Sequence, residues 1–551
     1  MRKLTDRPVA IIVTLIALLL ACNFPTYRAY TGSQTPTPLG PVPPGSPTLE
    51  PPMADQGTAP STTPAMPVPA APVPSATPLA FQPTFVAAPC AFSIPRGGYR
   101  VDCGYVAVPA NRDHAQPGDL LVRLHVAVFH SWANLPAPDP VVHLAGGPGS
   151  SSLGEAEYVL GQGLARALDR RDLIFFDQRG TGFSLPRLDC SEREDLTPAL
   201  LDGSLTQAGR DAAIVDAFRR CHNRLVQEGI DPADYTSAAS AADVNDLRRA
   251  LGYPQVNLYA DSYGTRLALT VLRDFPDAVR SAVLDSVYPP QVNLYTTLAP
   301  NAERSFRVLF ERCAADEGCS QYDPNLENAY YDLVDQLNAS PVTVKVKVGG
   351  ADYPVLVDGN RLVDVLLVGL YNPAVIAEMP LMISQIQKGE YGVLRQRLAL
   401  YFDHSVALGM NQAIQCNEEI PFSQPDEPFR MAQGVRAEIA RFFPADVQSL
   451  FTACKDWQTR PLDPRENQPV SSDVPALVLA GGYDPITPPE WGRMAARTLT
   501  HAYFFEFPHQ GHWVTRSSRC ALEMSLAFWN DPTVEPDPSC IAREKGIVFV
   551  R

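Results

Sequence analysis

The segment Ala260-Asp261-Ser262-Tyr263-Gly264 follows an apolar stretch, Val256 to Tyr259, and precedes one in which Leu267, Val271, Leu272 and Phe275 fall at helical spacing before Pro276. A strand, a tight turn and a helix in that order lift a serine hydroxyl to an exposed tip beside the helix's positive N-terminus, provided the flanking residues are small. Ala260 and Gly264 are small, although Ala260 stands where such turns usually carry glycine. Upstream, His143-Leu144-Ala145-Gly146-Gly147-Pro148-Gly149-Ser150 is a glycine loop whose N–H groups can approach an oxyanion. Gly147 is the expected donor, with Gly146 as alternative and the N–H of Tyr263 as the second. Downstream come Asp484, in Gly481-Gly482-Tyr483-Asp484-Pro485-Ile486-Thr487-Pro488, and His512, in Pro508-His509-Gln510-Gly511-His512-Trp513. In this order His512 takes the proton of Ser262, and Asp484 orients the ring and stabilises the imidazolium. The rivals are His509 as base and Asp285 as acid. The chemistry is acyl transfer through a covalent intermediate, which needs no metal or cofactor.

These residues must be positioned by an α/β sheet. Leu121 to Phe129, Val141 to Leu144, Leu173 to Phe176, Val256 to Tyr259, Ala282 to Leu284 and Ala476 to Leu479 read as apolar strands between helical stretches, and an apolar stretch, Tyr503 to Phe507, precedes His512. Ser240 is the expected cap of a helix carrying Val244, Leu247 and Leu251, which ends near Gly252 and Pro254 and leads into the serine-bearing strand. Another segment, Asp177-Gln178-Arg179-Gly180-Thr181-Gly182-Phe183-Ser184, reads as a turn that braces the glycine loop, with Asp177 and Arg179 forming a charged pair.

At 551 residues the chain exceeds one ordinary core, and its organisation is legible. Arg2, Lys3 and Arg7 precede an apolar run, Val9 to Ala21, too short to span a bilayer; with Leu19-Leu20-Ala21-Cys22 it reads as a signal segment ending in a lipobox at residues 1–22, Cys22 being the lipidation site. An ordinary cleaved signal or an uncleaved anchor are the alternatives. Residues 23–85 are a disordered Pro/Thr/Ser-rich tether that can form no core. The formal net charge of -15 and the lack of a basic cluster exclude nucleic acid as a partner. Ten cysteines remain after Cys22, an even number suited to an oxidising compartment. Their clustering suggests Cys90–Cys103, Cys190–Cys221, Cys313–Cys319, Cys416–Cys454 and Cys520–Cys540. Zinc is disfavoured, because no CxxC pairs or closely spaced Cys/His ligands occur.

With the motifs GGPG (146–149), DQRGTGFS (177–184), DSYGT (261–265), GGYDPITP (481–488) and GHW (511–513), the sequence from about Cys90 onward resembles the α/β-hydrolase fold serine peptidases that include proline iminopeptidases and tripeptidyl aminopeptidases. The resemblance implies a mostly parallel central sheet flanked by helices, with the hydrolase core at 86–290 and 471–551. It also implies a largely helical cap at 291–470, inserted before the acid-bearing strand. Within that cap, Gln415-Cys416-Asn417-Glu418-Glu419 resembles the acidic segment that related aminopeptidases use near a substrate's free amino group, so Glu418 and Glu419 become candidate amine-binding residues. The expected protein is an exported, lipid-anchored bacterial surface exopeptidase acting on short peptides. An esterase on the same machinery is the alternative, and a non-catalytic surface binding protein a third reading.

Overall fold

The structure, a computed structural model, describes residues 81–112, 120–321, 324–457, 460–461 and 463–550. The signal segment, Cys22 and almost all of the tether lie outside the described residues. Residues 83–551 cluster as one compact unit.

Among the described residues the main sheet has nine strands: β1 (Phe85–Ala87), β2 (Val101–Pro109), β3 (Leu121–Phe129), β4 (Val141–Leu144), β5 (Leu173–Phe176), β6 (Val256–Asp261), β7 (Val279–Asp285), β10 (Ala476–Gly481) and β11 (Ala502–Phe507). Their order is β1-β2-β3-β5-β4-β6-β7-β10-β11. The first three run antiparallel, β3 pairs antiparallel with β5, and the strands from β5 to β11 are parallel. Every residue of β4, β5, β6 and β10 is buried. Helices cover both faces, so these strands are continuous apolar runs without alternation. This is the α/β-hydrolase fold.

The helices that matter for the site are α1 (Ser152–Gly161), α2 (Gln207–Gln227), α3 (Ser237–Ala250), α4 (Tyr263–Asp274), α5 (Leu294–Ala314), α6 (Leu408–Glu418) and α7 (Gln448–Trp457). Thr236, not Ser240, caps α3: its side chain accepts from the Ala239 N–H, and Ser240 falls inside the first turn. The Thr-Ser-Ala-Ala-Ser run offers several capping hydroxyls, and the first with extended backbone takes the role. Helix α4 is buried from Tyr263 to Leu272 on all faces. An apolar stripe along one side understated that burial, because α3 packs on α4 and charged side chains fill its remaining face.

Between β7 and β10 the chain leaves the sheet and builds a second core around Phe306, Tyr330, Leu362 and Met379, which Phe549 of the C-terminal tail joins. The insertion is not wholly helical. A hairpin, β8 (Val342–Val348) and β9 (Ala351–Val357), pairs antiparallel, with Val344, Val346, Val355 and Val357 buried. The strict alternation in Val-Thr-Val-Lys-Val-Lys-Val is the period-2 signal of a half-buried strand.

All ten remaining cysteines are bonded, as Cys90–Cys103, Cys190–Cys221, Cys313–Cys319, Cys416–Cys454 and Cys520–Cys540. Five such bonds mark a chain that matures in an oxidising, extracytoplasmic compartment. Among the described residues no helix is long and apolar enough to cross a membrane.

Candidate active site

Ser262 stands at the turn from β6 into α4 with φ 54° and ψ -127°. This region is costly for a residue with a side chain and is held only where the surroundings over-determine it. They do so here. A Cβ on Gly264 would collide with the Leu144 carbonyl, so only glycine lets α4 start this close to β4. Ser262 donates its N–H to the Asp285 carbonyl at 3.0 Å, and its own carbonyl accepts from Thr265 Oγ1 at 2.6 Å. Ala260 is fully buried with its methyl group accommodated. Tyr263 opens α4, so its N–H has no intrahelical acceptor.

Asp484 and His512 are brought together by β10 and β11. His512 Nδ1 lies 2.7 Å from Asp484 Oδ2, and both side chains are buried. The N–H groups of Ile486 and Thr487 donate to Asp484 Oδ1 at 2.9 Å each, and Thr487 Oγ1 donates to Oδ2 at 2.7 Å. Burial pushes the Asp484 carboxyl up, but the charge of His512 and these bonds outweigh it and hold the group below its ordinary value. The aromatic ring of Tyr371 meets His512 edge-on at 4.7 Å.

Neither rival occupies this pair. His509 packs toward Arg312, with Nδ1 3.4 Å from its guanidinium. Asp285 accepts from Val514 N at 2.9 Å, Thr515 N at 2.8 Å and Thr515 Oγ1 at 2.6 Å, which bolts the segment after His512 to the end of β7. Next to it, Ser286 Oγ accepts from Trp513 N at 2.9 Å. Ser262, Ser286 and Trp513 are the non-glycine residues with positive φ among the described residues. All three meet at this corner, where strain gathers at a working site.

The glycine loop presses directly on the serine: a Cβ on Gly146 would sit 2.8 Å from Ser262 Cβ. Gly147 has φ 109°, a backbone that glycine adopts without cost. Gln178 donates to the Ala145 carbonyl at 2.8 Å, so the 177–184 turn does brace the loop. The expected Asp177–Arg179 pair does not form. Arg179 instead forks onto Asp243 of α3 at 2.7 Å through both Nε and Nη2. Asp177 accepts from Ser151 Oγ, Leu153 N and Phe183 N at 2.8, 3.1 and 2.7 Å. Each side chain is saturated by partners far along the chain or on the turn's own backbone, so sequence proximity misled. Burial raises the Asp177 carboxyl to about 6 against the pull of those bonds.

The insertion touches each loop. Arg304 and Ser305 of α5 donate to the Asp484 carbonyl, the latter at 3.1 Å. At the head of α6, Ala407 N donates to the Gly149 carbonyl at 3.0 Å and Asn411 to that of Pro148 at 2.9 Å. Sequence gave no signal for Tyr371, Arg304 or Asn411, because their roles depend on how the insertion folds back. Thr487, three residues after Asp484, was within reach of spacing arguments.

The two glutamates part company. Glu418 is not free for a substrate amine: it is 1 % exposed, pairs with buried Arg266 at 3.3 Å and accepts from Ser237 N and from Ser237 Oγ, the latter at 2.6 Å. A carboxylate so engaged ties α6 to α3 and α4. Glu419 is also buried, and one of its carboxylate oxygens, Oε2, has no hydrogen-bond partner. Burial raises its carboxyl, partly offset by Arg266 and a hydrogen bond from Tyr288. It lies beside the serine turn, since Tyr288 N donates to Thr265 Oγ1 at 2.8 Å.

A hydroxyl on a strained strand-to-helix turn, a glycine loop pressed against it and a carboxylate-bound imidazole define a serine hydrolase of the α/β-hydrolase class. Residues 139–334 match the family described as alpha/beta hydrolase fold, and residues 440–540 that described as TAP-like protein. It is 24% identical over 462 residues to serine protease Hip1 of Mycobacterium tuberculosis, covering 79% of this chain and 86% of that one. It is 28% identical over 202 residues to a tripeptidyl aminopeptidase of Streptomyces lividans, covering 34% and 36%. Over 252 residues it is 28% identical to carboxylesterase B of Mycobacterium tuberculosis, covering 43% and 47%.

Proposed function

We propose that this protein is an exported serine exopeptidase that releases short peptides from the N-termini of its substrates. Ser262 is the nucleophile, His512 the general base and then acid, and Asp484 the group that orients and charges the imidazole. The N–H groups of Gly147, or Gly146, and Tyr263 receive the oxyanion of the tetrahedral intermediate. The hydroxyl attacks the scissile carbonyl while its proton passes to His512, which returns it to the leaving amine. Water then hydrolyses the acyl-enzyme by the same route. The observation that carries this reading is the buried Asp484–His512 bond bolted to the corner from which Ser262 is strained into place.

Glu419 supports the exopeptidase mode, because its unpartnered oxygen in a buried site suits an α-ammonium. The likeness to a tripeptidyl aminopeptidase favours release of a tripeptide over release of a single residue. The likeness to carboxylesterase B keeps an esterase as the second reading.

The test is turnover of aminoacyl, dipeptidyl and tripeptidyl chromogenic amides, their N-blocked forms and simple esters. Free tripeptidyl amides should be cut fastest, and blocking the amine should cost at least about tenfold in kcat/KM, the worth of one buried charge pairing. Equal rates for blocked and free peptides would remove Glu419 from the account. Turnover of esters alone would replace the peptidase by the esterase.

A further inference from the structure

Asp261 precedes Ser262, is fully buried and takes no part in the Asp484–His512 pair. Its Oδ2 lies 3.0 Å from His143 Nε2 and accepts from Arg516 at 2.8 Å. His143 Nδ1 lies 2.8 Å from Ser152 Oγ. With Asp261 ionised, the hydrogen of His143 sits on Nε2 and the serine hydroxyl donates to Nδ1. Arg516 also donates to Glu155 at 2.7 Å, and its guanidinium lies over the Trp513 ring at 4.6 Å. Burial pushes the Asp261 carboxyl up, yet Arg516 and His143 outweigh it and hold the group below its ordinary value.

The three members come from the three segments that carry the site. His143 lies on β4, four residues before Gly147; Asp261 ends β6; Arg516 follows His512 by four residues. The second oxygen of Asp261, Oδ1, has no hydrogen-bond partner and faces the glycine loop: a Cβ on Gly146 would lie 3.2 Å from it. A bare carboxylate oxygen there repels the negative charge that forms on the substrate's carbonyl oxygen, and in a buried site such repulsion is strong. Glu155, also held by Arg516, adds a negative charge, and Asp285 adds to the field from β7. Arg516 is the cation that joins Asp261 to Glu155.

We propose that Arg516 is a positioning residue: held on Asp261, its charge offsets that of the carboxylate behind the oxyanion site. The inference rests on Ser262 as nucleophile and the glycine loop as oxyanion site. A packing role and an electrostatic role make opposite demands on one double variant. Arg516→Gln leaves the Asp261 carboxylate unpaired; adding Asp261→Asn removes the charge but restores no contact.

The experiment measures kcat, KM and melting temperature for the full chain, Arg516→Gln, the double variant and Ser262→Ala, on the best amide of the panel above. Arg516→Gln should lower kcat by roughly 10- to 100-fold with KM within about threefold, the pattern of a lost transition-state interaction. Asp261→Asn in that background should recover kcat at least about tenfold. A double variant no faster than Arg516→Gln, or an unchanged kcat in Arg516→Gln, overturns the proposal. Should Arg516→Gln fail to fold, Arg516→Lys keeps the charge without the guanidinium: a kcat within about tenfold of the parent is expected, and a larger loss overturns it. Activity surviving in Ser262→Ala would instead overturn the nucleophile assignment, a separate failure.

Discussion

Three carboxylates stand around the serine turn and His512, and each does something different because of what it touches. Asp484 faces the imidazole, Asp285 caps the segment behind it, and Asp261 meets a guanidinium. Replacing Asp484 by Asn keeps the shape and removes the charge that holds His512 in the working tautomer. We expect Asp484→Asn to lower kcat by roughly 10⁴-fold with little change in melting temperature, read by steady-state kinetics beside a thermal melt. The order of serine, acid and histidine was legible in sequence, as were the glycines that let backbones approach. The work of Asp285 was not, because two strand ends each offer an aspartate and only the fold decides which one faces the ring. Arg179 illustrates the same limit: its partner is Asp243, sixty-four residues away, and not its near neighbour Asp177.

At the scale of elements, α6 is where the insertion meets α4, the helix that follows Ser262. Arg266 of α4 is fully buried and held by the carboxylate and carbonyl of Glu418 and by the carbonyl of Glu466. Breaking such a pair from one side leaves a buried cation without its counter-charge. Glu418→Gln should therefore cost about 3 kcal/mol or more, measured as a shift in urea unfolding, and the loss should exceed that of any exposed pair such as Arg519–Glu523. Sequence pattern found most strands of the main sheet within one or two residues, because parallel strands between helices are apolar throughout. It read the insertion as helical and so passed over the Val342–Val348 hairpin, whose alternation of buried valine with exposed lysine was present to be read.

For the whole molecule, burial of charge gives stability a dependence on pH. Asp177, with its carboxyl raised from 3.8 to about 6, binds its proton more tightly in the folded chain than in the unfolded one. Between those values the folded state carries more protons, so stability falls as pH rises through the window and is constant above it. The full cost is about 3 kcal/mol, from 1.36 kcal/mol per pKa unit. From pH 4 to pH 7 the urea midpoint of the parent should therefore fall relative to that of Asp177→Asn, whatever the variant's own stability. A parent and variant with equal pH dependence would show that the carboxyl is not raised. Disulfides, sheet and insertion form one unit in which the core of the insertion receives Phe549, so the C-terminal segment is not independent of the insertion.

The central claim is that Ser262 is the nucleophile, and the most direct measurement is the site of covalent capture by an active-serine phosphonate. Intact-mass and peptide analysis of the labelled protein should show one adduct per chain, on Ser262, and none in Ser262→Ala. An adduct on another residue, or labelling that persists in Ser262→Ala, would contradict the account.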